Sequence, residues 1–423
     1  MRFSLFSVCI CFLATLGLTL RNRVLPLAPV FRVFRDTNWI IKTERILVDE
    51  STIFHDVISS IVHVPQKAII EVKLIGKRCD ALVLRGRLTG EQLAMLSWFK
   101  SDSGTLVGTY DQLPPGVYFI EIVALYCSTF NRSMPVHIVK NTCLEDPRRH
   151  RVTALNSSIH VVDISWPAPA NKIGSWSRKR ELEEILPIYT RTQPNGCNPP
   201  ECDISRFSKL SQVELMYNFT YSKETMKRLG AVVSTNSLRS LIFCFVGASH
   251  SRTIVEMLSS HFGEGPWFQH VDARYPNNLN QAAEFVRLQN CTHAVIGIGQ
   301  WPAGWPGDAP MGFQDYEQSM HGGLVNFTNI VNTSTKVYVR NVHENPLGDI
   351  ISSCPPRDWR NPEVVRIYNE LLLEVCTRLK YHFIDTTDIL GPMWDTAPDW
   401  CHYKNEVGRV EAIYILQFIL QSS

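Results

Sequence analysis

The sequence predicts an α/β fold whose C-terminal part is a mostly parallel sheet, preceded by a small β-sandwich domain. From residue 241 onward, short and nearly continuous apolar runs alternate with helical patterns, which is typical of parallel strands buried on both faces. Between residues 46 and 127, apolar and polar residues alternate in short runs, which indicates half-buried antiparallel strands. The chain has 423 residues, of which 45% are hydrophobic, so it can bury a sizeable core and is not wholly disordered.

The N-terminal segment predicts contact with a membrane. Residues 3–20 are eighteen residues without a charge, flanked by Arg2 and by Arg21 and Arg23. This run is long for a signal peptide and just long enough to span a bilayer, and no clear small-residue cleavage site follows it. We therefore expect residues 1–23 to be an uncleaved signal anchor, with a cleaved signal peptide as the alternative.

Two further regions separate this segment from the α/β domain. Residues 30–145 are predicted to form the β-sandwich, of immunoglobulin type, because AIIEVKL (68–74), 81–84 and GVYFIEIVA (116–124) are strand-like. Residues 146–240 are irregular and rich in Pro, Arg and Ser, and we interpret them as a connecting lobe.

The α/β domain, residues 241–423, contains four apolar runs that we expect to be strands: 241–246, 293–299, 336–342 and 381–385. Asn361-Pro362-Glu363 is a typical helix start and is followed by apolar residues at helical spacing. A last helix is predicted over residues 407–420. In such folds, functional sites gather at the carboxyl ends of the strands.

Sequons and cysteines indicate the secretory pathway. Ten cysteines lie outside the apolar N-terminal segment, an even number without paired C-x-x-C spacing, so disulfides are favoured over zinc. Their connectivity cannot be deduced, and Cys244, inside an apolar run, is also compatible with a buried thiol. The net charge is +2 with no long basic run, so nucleic acid is not expected as a partner. The six predicted glycosylation sites are Asn131, Asn156, Asn218, Asn290, Asn326 and Asn332.

A candidate nucleophile follows the first predicted strand of the α/β domain. Ser249 stands in Gly247-Ala248-Ser249-His250-Ser251-Arg252, directly before a helical stretch. A strand-to-helix turn of this kind exposes a serine and offers helix N-terminal N–H groups to a developing oxyanion. The alternative is a serine that only caps the helix. The G-x-S-x-G elbow of α/β-hydrolases is disfavoured, because Ser251 takes the place of its second glycine.

A candidate base precedes the last helix, in Asp399-Trp400-Cys401-His402-Tyr403. An aspartate three residues before a histidine can accept the imidazole Nδ1–H and leave Nε2 free to take a proton from a serine. We therefore predict a triad of Ser249, His402 and Asp399.

Four blocks together resemble the trichome-birefringence-like and PC-esterase group of the GDSL/SGNH hydrolase superfamily. FVGASHSR (245–252) is similar to its GDS block and APDWCHY (397–403) to its DxxH block. Between them, VIGIGQW (295–301) and VYVRNVHENP (337–346) resemble two further blocks in the same order. The resemblance implies an SGNH-like three-layer domain over residues 241–423 and does not extend to the N-terminal 240 residues.

The resemblance also implies site residues. Ser249 would be the nucleophile, His402 its general base and Asp399 the partner of His402. Groups at Gly299 and Gln300 would complete the oxyanion hole. Residues expected to bind substrate are Arg252, Trp301 and Arg340. The alternatives are a salt bridge for Arg252 and a place in the apolar core for Trp301.

Two departures from the family pattern bear on activity. Ala248 replaces the aspartate of the GDS block, and Gln300 stands where an oxyanion asparagine is expected. The first hypothesis is a carbohydrate O-acyl- or O-acetyltransferase, or an esterase, that works through an acyl-enzyme; the alternative is an inactive glycan-binding or adhesion protein.

We expect a glycan as substrate, no metal and no bound cofactor, and an acetylated carrier as acyl donor if the protein is a transferase. The expected location is the Golgi or ER membrane with the catalytic domain in the lumen, or secretion. The sequence does not indicate an oligomeric state.

Overall fold

A computed structural model gives the fold of most of the chain beyond the N-terminal segment. The described residues are 41–47, 56–64, 67–75, 82–100, 106–111, 113–114, 116–129, 140–143, 158–161, 173–178, 217–222, 225–227, 238, 240–304, 310–343, 362–394, 396 and 402–422. The predicted signal anchor, residues 1–23, lies outside them. Within the described residues, no helix combines the length and the apolar character needed to cross a membrane.

Two antiparallel sheets form the N-terminal half of the described chain. The first has five described strands in the order β1-β2-β3-β7-β6, and the second has seven, in the order β10-β8-β4-β5-β11-β12 with β9 also paired to β8. The strands are β1 (Ile41–Leu47), β2 (Asp56–Val64), β3 (Lys67–Ile75), β4 (Leu82–Thr89), β5 (Gln92–Met95), β6 (Ser97–Lys100), β7 (Leu106–Asp111), β8 (Gly116–Thr129), β9 (Lys140–Cys143), β10 (Ser158–Val161), β11 (Gly174–Arg178) and β12 (Tyr217–Tyr221).

The C-terminal half is a parallel five-stranded sheet with helices. Its strands are β13 (Phe243–Gly247), β14 (Phe268–Asp272), β15 (His293–Gly297), β16 (Lys336–Arg340) and β17 (His382–Ile384), in the order β14-β13-β15-β16-β17. The described helices are α1 (Ser249–Phe262), α2 (Leu279–Leu288), α3 (Phe313–Ile330), α4 (Pro362–Leu379), the short α5 (Thr387–Leu390) and α6 (Glu406–Gln421). The predicted fold class is confirmed.

Two apolar layers enclose this sheet because the strand side chains alternate between its faces. In β13, Phe243 and Phe245 pack with residues of α1 and α6 on one face. Cys244 and Val246 pack with residues of α2, α3 and α4 on the other face. All five residues of β13 are buried, which explains why its sequence is continuously apolar.

Some strands differ from the sequence prediction. β10, β11 and β12 lie in the stretch 146–240, which we interpreted as an irregular lobe, and they extend the second antiparallel sheet. The edge strand β14 was not predicted. Its sequence, FQHVD, is only partly buried, so it lacks the apolar run that marks the central strands.

A disulfide joins Cys244 of β13 to Cys291, just before β15. The interpretation of Cys244 as a buried thiol is therefore wrong; an apolar strand also accommodates a buried disulfide. Cys376 is a free, buried cysteine, and burial raises the pKa of its thiol to about 12. Five of the ten cysteines expected to form disulfides lie outside the described residues: Cys79, Cys197, Cys202, Cys354 and Cys401.

The predicted glycosylation sites differ in their placement. Asn218, Asn290 and Asn326 are exposed, and Asn332 is partly exposed. Asn131 and Asn156 lie outside the described residues.

The second antiparallel sheet binds directly to the α/β unit. The Trp176 indole N–H donates to the Ile389 carbonyl at 2.8 Å. Arg87, which is fully buried, donates to the Pro392 carbonyl at 3.3 Å and lies 5.0 Å from the ring centroid of Trp394. The interface between the second antiparallel sheet and the α/β unit therefore combines hydrogen bonds with a cation–π contact, and the side chains that make it are buried.

A row of rings crosses the central strands of the parallel sheet. His293 lies between Phe243, at 4.8 Å between ring centroids, and Tyr338, at 6.2 Å. Burial, followed by the charge of Lys336, lowers the pKa of His293 to about 4. The imidazole is therefore neutral in the folded protein near pH 7.

We expect this histidine to make the protein less stable in mild acid. In the unfolded chain the imidazole has a pKa near 6.5, so the unfolded state binds the extra proton first as the pH falls from about 6.5 to about 4. The free energy of unfolding should fall by up to about 3 kcal/mol over this window. His293→Phe, which keeps a ring in the row, should remove that part of the pH dependence in urea titrations at pH 7 and pH 4.5. His261→Phe, at an exposed histidine of α1, is the control and should retain it. Equal pH dependence in the wild type and His293→Phe would contradict the assignment.

Candidate active site

The turn between β13 and α1 holds Ser249 at the carboxyl edge of the sheet. Gly247 ends the strand with φ +155°, and a Cβ there would lie 2.5 Å from the Gly297 carbonyl oxygen of the neighbouring strand. Only glycine fits this close approach. Ser249 is the first residue of α1, so its backbone N–H has no acceptor within the helix.

Ser249 and His402 meet although 153 residues separate them in sequence. The Ser249 Oγ lies 2.7 Å from the His402 Nε2, a distance suited to proton transfer from a hydroxyl to an imidazole. Both side chains are partly exposed. The structure thus brings two of the three predicted triad residues together. Asp399 lies outside the described residues, and its role stays a prediction.

The chain around His402 is held by contacts on its C-terminal side. Asn405 caps α6, since its side-chain oxygen accepts from the Gly408 N–H at 3.5 Å, and its side-chain N–H donates to the Thr396 carbonyl at 2.7 Å. The next residue after His402, Tyr403, is buried and donates its hydroxyl to the Leu390 carbonyl at 3.3 Å. The chain next to His402 is therefore anchored to α5, to Thr396 and to the start of α6.

Gly299 and Gln300 follow β15 at the same edge of the sheet. A Cβ at Gly299 would collide with the side chain of Val342, so glycine permits the close packing of the loops after β15 and β16. Gln300 is 8% exposed, and its side-chain N–H donates to the His343 carbonyl. The Gln300 amide thus supports the loop that carries His343. Its oxyanion role, like that of Gly299, stays a prediction.

The predicted substrate-binding residues are placed differently from one another. Arg252 is exposed on α1 and lies 3.8 Å from Glu256, an ordinary surface ion pair. Trp301 is partly exposed, and the Arg274 guanidinium covers one of its faces at 4.6 Å from the ring centroid. That face is not open to a sugar in this conformation.

Arg340 is buried, with 2% exposure, and pairs with Glu411 at 3.5 Å. The structure therefore places it in the interior, where a glycan does not reach it, contrary to the predicted substrate contact. The predicted contact came from the resemblance of VYVRNVHENP (337–346) to a family block whose strand carries an arginine.

Arg340 belongs to a polar cluster beneath Ser249 and His402, here called the Glu411 cluster: His250, Arg340, His343, Thr386 and Glu411. Glu411 Oε1 lies 2.5 Å from His343 Nε2 and accepts from the Thr386 hydroxyl at 3.1 Å. His343 Nδ1 in turn lies 2.9 Å from His250 Nδ1. Each member is at most 5% exposed.

The charges of the Glu411 cluster balance internally. Burial alone would raise the pKa of Glu411, but the nearby His343 and Arg340 and the Thr386 hydroxyl lower it below its ordinary value. Burial and the Arg340 charge lower the pKa of His343. An arginine stays protonated even when buried. We therefore take Glu411 and Arg340 as the charged pair and His343 as neutral.

Sequence reasoning missed most of this cluster. His250 and His343 lie within the quoted blocks, but spacing alone did not assign them a role. Glu411 lies in a strongly apolar helix, EVGRVEAIYILQFILQ. The available signal was a single acidic residue on the apolar face of a helix, since such residues are rarely buried unless they are paired.

A cavity of about 230 Å³ lies beside this cluster, not at Ser249. Its lining includes Arg85 from the antiparallel sheet together with Asn341, His343, Arg366 and Asp385. Because neither Ser249 nor His402 lines it, we do not take it as the reaction site. Among the described residues, no group of His, Cys, Asp or Glu side chains could hold a metal ion.

Two solved structures of carbohydrate esterases are similar to parts of this chain. No family model matches the chain, and no curated protein matches it. An acetylxylan esterase from Geobacillus stearothermophilus is similar in structure, with 13% identity and a TM-score of 0.31 over 45% of this chain and 96% of that one. A carbohydrate esterase family 2 enzyme with a carbohydrate-binding domain, from Corynascus thermopiles (Myceliophthora fergusii), has 10% identity and a TM-score of 0.30 over 90% of this chain and 100% of that one.

Ala248 leaves α1 without a side-chain cap, although its carbonyl accepts from the Ser251 N–H at 3.0 Å. We expect Ala248→Ser to stabilise the protein by about 1 kcal/mol, because a serine hydroxyl can accept an N–H of the first helical turn. Thermal unfolding monitored by circular dichroism measures the change. Ala248→Val, which offers no acceptor, is the control; an equal gain in both variants would exclude capping as the cause.

Proposed function

We propose that the chain is a serine-dependent esterase or acyltransferase that acts on O-acyl, above all O-acetyl, groups of glycans. The observation that carries the proposal is the 2.7 Å contact between Ser249 Oγ and His402 Nε2 at the N-terminus of α1. The glycan ester as substrate follows from the resemblance of the four blocks to the trichome-birefringence-like and PC-esterase group.

The proposed reaction has two displacements. In the first, Ser249 Oγ attacks the ester carbonyl carbon while its proton passes to His402 Nε2. The tetrahedral oxyanion is stabilised by the Ser249 N–H and the partial positive charge of the helix N-terminus. The bond to the sugar oxygen then breaks, and His402 returns the proton to that oxygen.

In the second displacement, water or a sugar hydroxyl attacks the acyl group on Ser249. His402 takes the proton of the attacking oxygen and delivers it to Ser249 Oγ, which restores the enzyme. Asp399 is proposed to hold His402 in the tautomer that has its proton on Nδ1. The acceptor, water or sugar, distinguishes an esterase from a transferase.

Labelling with a fluorophosphonate probe tests the activated serine. We expect the wild type to be labelled and to hydrolyse aryl acetates, and Ser249→Ala and His402→Ala to lose labelling and at least about 10³-fold in kcat/KM. The matched control is Ser251→Ala, in the same helical turn, where a buried hydroxyl contacts the Val246 carbonyl. It should retain labelling. A folded wild type that is neither labelled nor active would favour the glycan-binding alternative.

We also propose that the protein resides in the secretory pathway, in the Golgi or ER membrane through residues 1–23, with the site in the lumen. The exposed Asn218, Asn290 and Asn326 support this, since glycans need accessible asparagines. Protein made in eukaryotic cells should increase its gel mobility after peptide N-glycosidase treatment. Asn326→Gln should remove one glycan step. Unchanged mobility of the treated wild type would contradict a lumenal location with used sequons.

A further inference from the structure

A continuous series of contacts leads from the buried Glu411 to the reacting serine. Glu411 lies 2.5 Å from His343, and His343 lies 2.9 Å from His250. The His250 ring packs against the His402 ring with 5.1 Å between centroids. His402 then contacts Ser249 at 2.7 Å. Four segments contribute: α6, the residues just before it, the loop after β16 and the first turn of α1.

His343 connects Glu411 to His250 through its two ring nitrogens. Its Nε2 contacts both Glu411 Oε1 and Arg340 Nη1, and its Nδ1 contacts His250 Nδ1. In the bond between the two Nδ1 atoms, one ring donates and the other accepts, so the tautomers of the two rings are coupled. The orientation of the His250 ring is therefore tied to that of His343.

Stability alone is a poor explanation for this arrangement. Buried ionic and polar groups carry a desolvation cost, and well-packed apolar side chains often replace them without loss of stability. His250 also follows Ser249 directly and lies against the imidazole that contacts it. A rotation of His250 would therefore change the surface on which His402 rests.

We propose that His250, His343 and Glu411 are positioning residues, in which Glu411 orients His343, His343 orients His250, and the His250 ring holds His402 Nε2 on Ser249 Oγ. The proposal rests on the proposed function and adds three residues to its site. None of them contacts the substrate; they act through His402. The Gln300 amide, which donates to the His343 carbonyl, supports the same loop.

Kinetics of His250 variants with an aryl acetate give the first measurement. His250→Ala removes the ring and its hydrogen bond to His343, and we expect kcat to fall about 10- to 100-fold with KM changed less than about twofold, because misplacement of a catalytic group affects the transition state most. His250→Phe keeps a ring but loses the hydrogen bond to His343, and its kcat should lie between those of the wild type and His250→Ala. His261→Ala, at an exposed histidine of the same helix, should leave both constants unchanged.

A double-mutant cycle tests the series of contacts. If His343 acts through His250, His343→Ala alone should lower kcat, and adding His250→Ala should lower it by less than the product of the single effects. Fully multiplicative effects, or a rise in KM at constant kcat, would overturn the proposal.

Nuclear magnetic resonance of the ¹⁵N-labelled histidines separates this proposal from the proposed function, since it needs no turnover. In the wild type the His402 signals should show one tautomer with Nε2 as acceptor. In His250→Ala they should show exchange between tautomers, and His261→Ala should resemble the wild type. Unchanged His402 signals in His250→Ala would overturn the positioning role, whereas absence of esterase activity in the wild type would overturn only the proposed function.

Discussion

The charge of Glu411, enclosed in the α/β unit, constrains the carboxyl edge of the parallel sheet. A buried carboxylate must be paired and hydrogen-bonded, and removal of one partner from such a pair costs about 3–5 kcal/mol. Arg340 at the end of β16 and Thr386 after β17 supply the partners. Because Glu411 lies on α6 and His402 lies just before that helix, the pairing also fixes where the last helix approaches the sheet. Thr386 in turn donates to Asn341 or Glu411, which ties the two strand ends together.

Local patterns in the sequence predicted the central architecture. Each of the four predicted apolar runs contains a strand, β13, β15, β16 or β17, and the central strands β13 and β15 are almost wholly buried. The edge strand β14 and the strands β10 to β12 escaped prediction because exposed faces dilute the apolar signal, and pairing to a distant strand leaves no local mark. The disulfide between Cys244 and Cys291 could not be predicted either, since ten cysteines can pair in many ways and the sequence does not distinguish them.

The candidate site was predictable where chemistry and topology coincide. Ser249 follows β13 and His402 precedes α6, and both positions lie at the carboxyl edge of the sheet. Chain order and residue type were therefore enough to predict that they meet. Arg340 and Gln300 show the limit of that reasoning. Both occupy positions next to the site, but their side chains turn towards Glu411 and towards the His343 carbonyl. Side-chain direction depends on packing partners that are remote in sequence, and spacing does not report it.

The contact between the second antiparallel sheet and the α/β unit has a consequence for how the protein can be divided. Leu93, Ile173 and Trp176 share one apolar core with residues of β13, α1 and α6. The backbone N–H of Ile173 donates to Asp388 at 3.1 Å, so even polar groups are satisfied across the boundary. Excision of residues 241–423 would expose Trp394 and strip one side of that core. The second antiparallel sheet is thus not a detachable module, because its removal would open the apolar core that β13, α1 and α6 share with it.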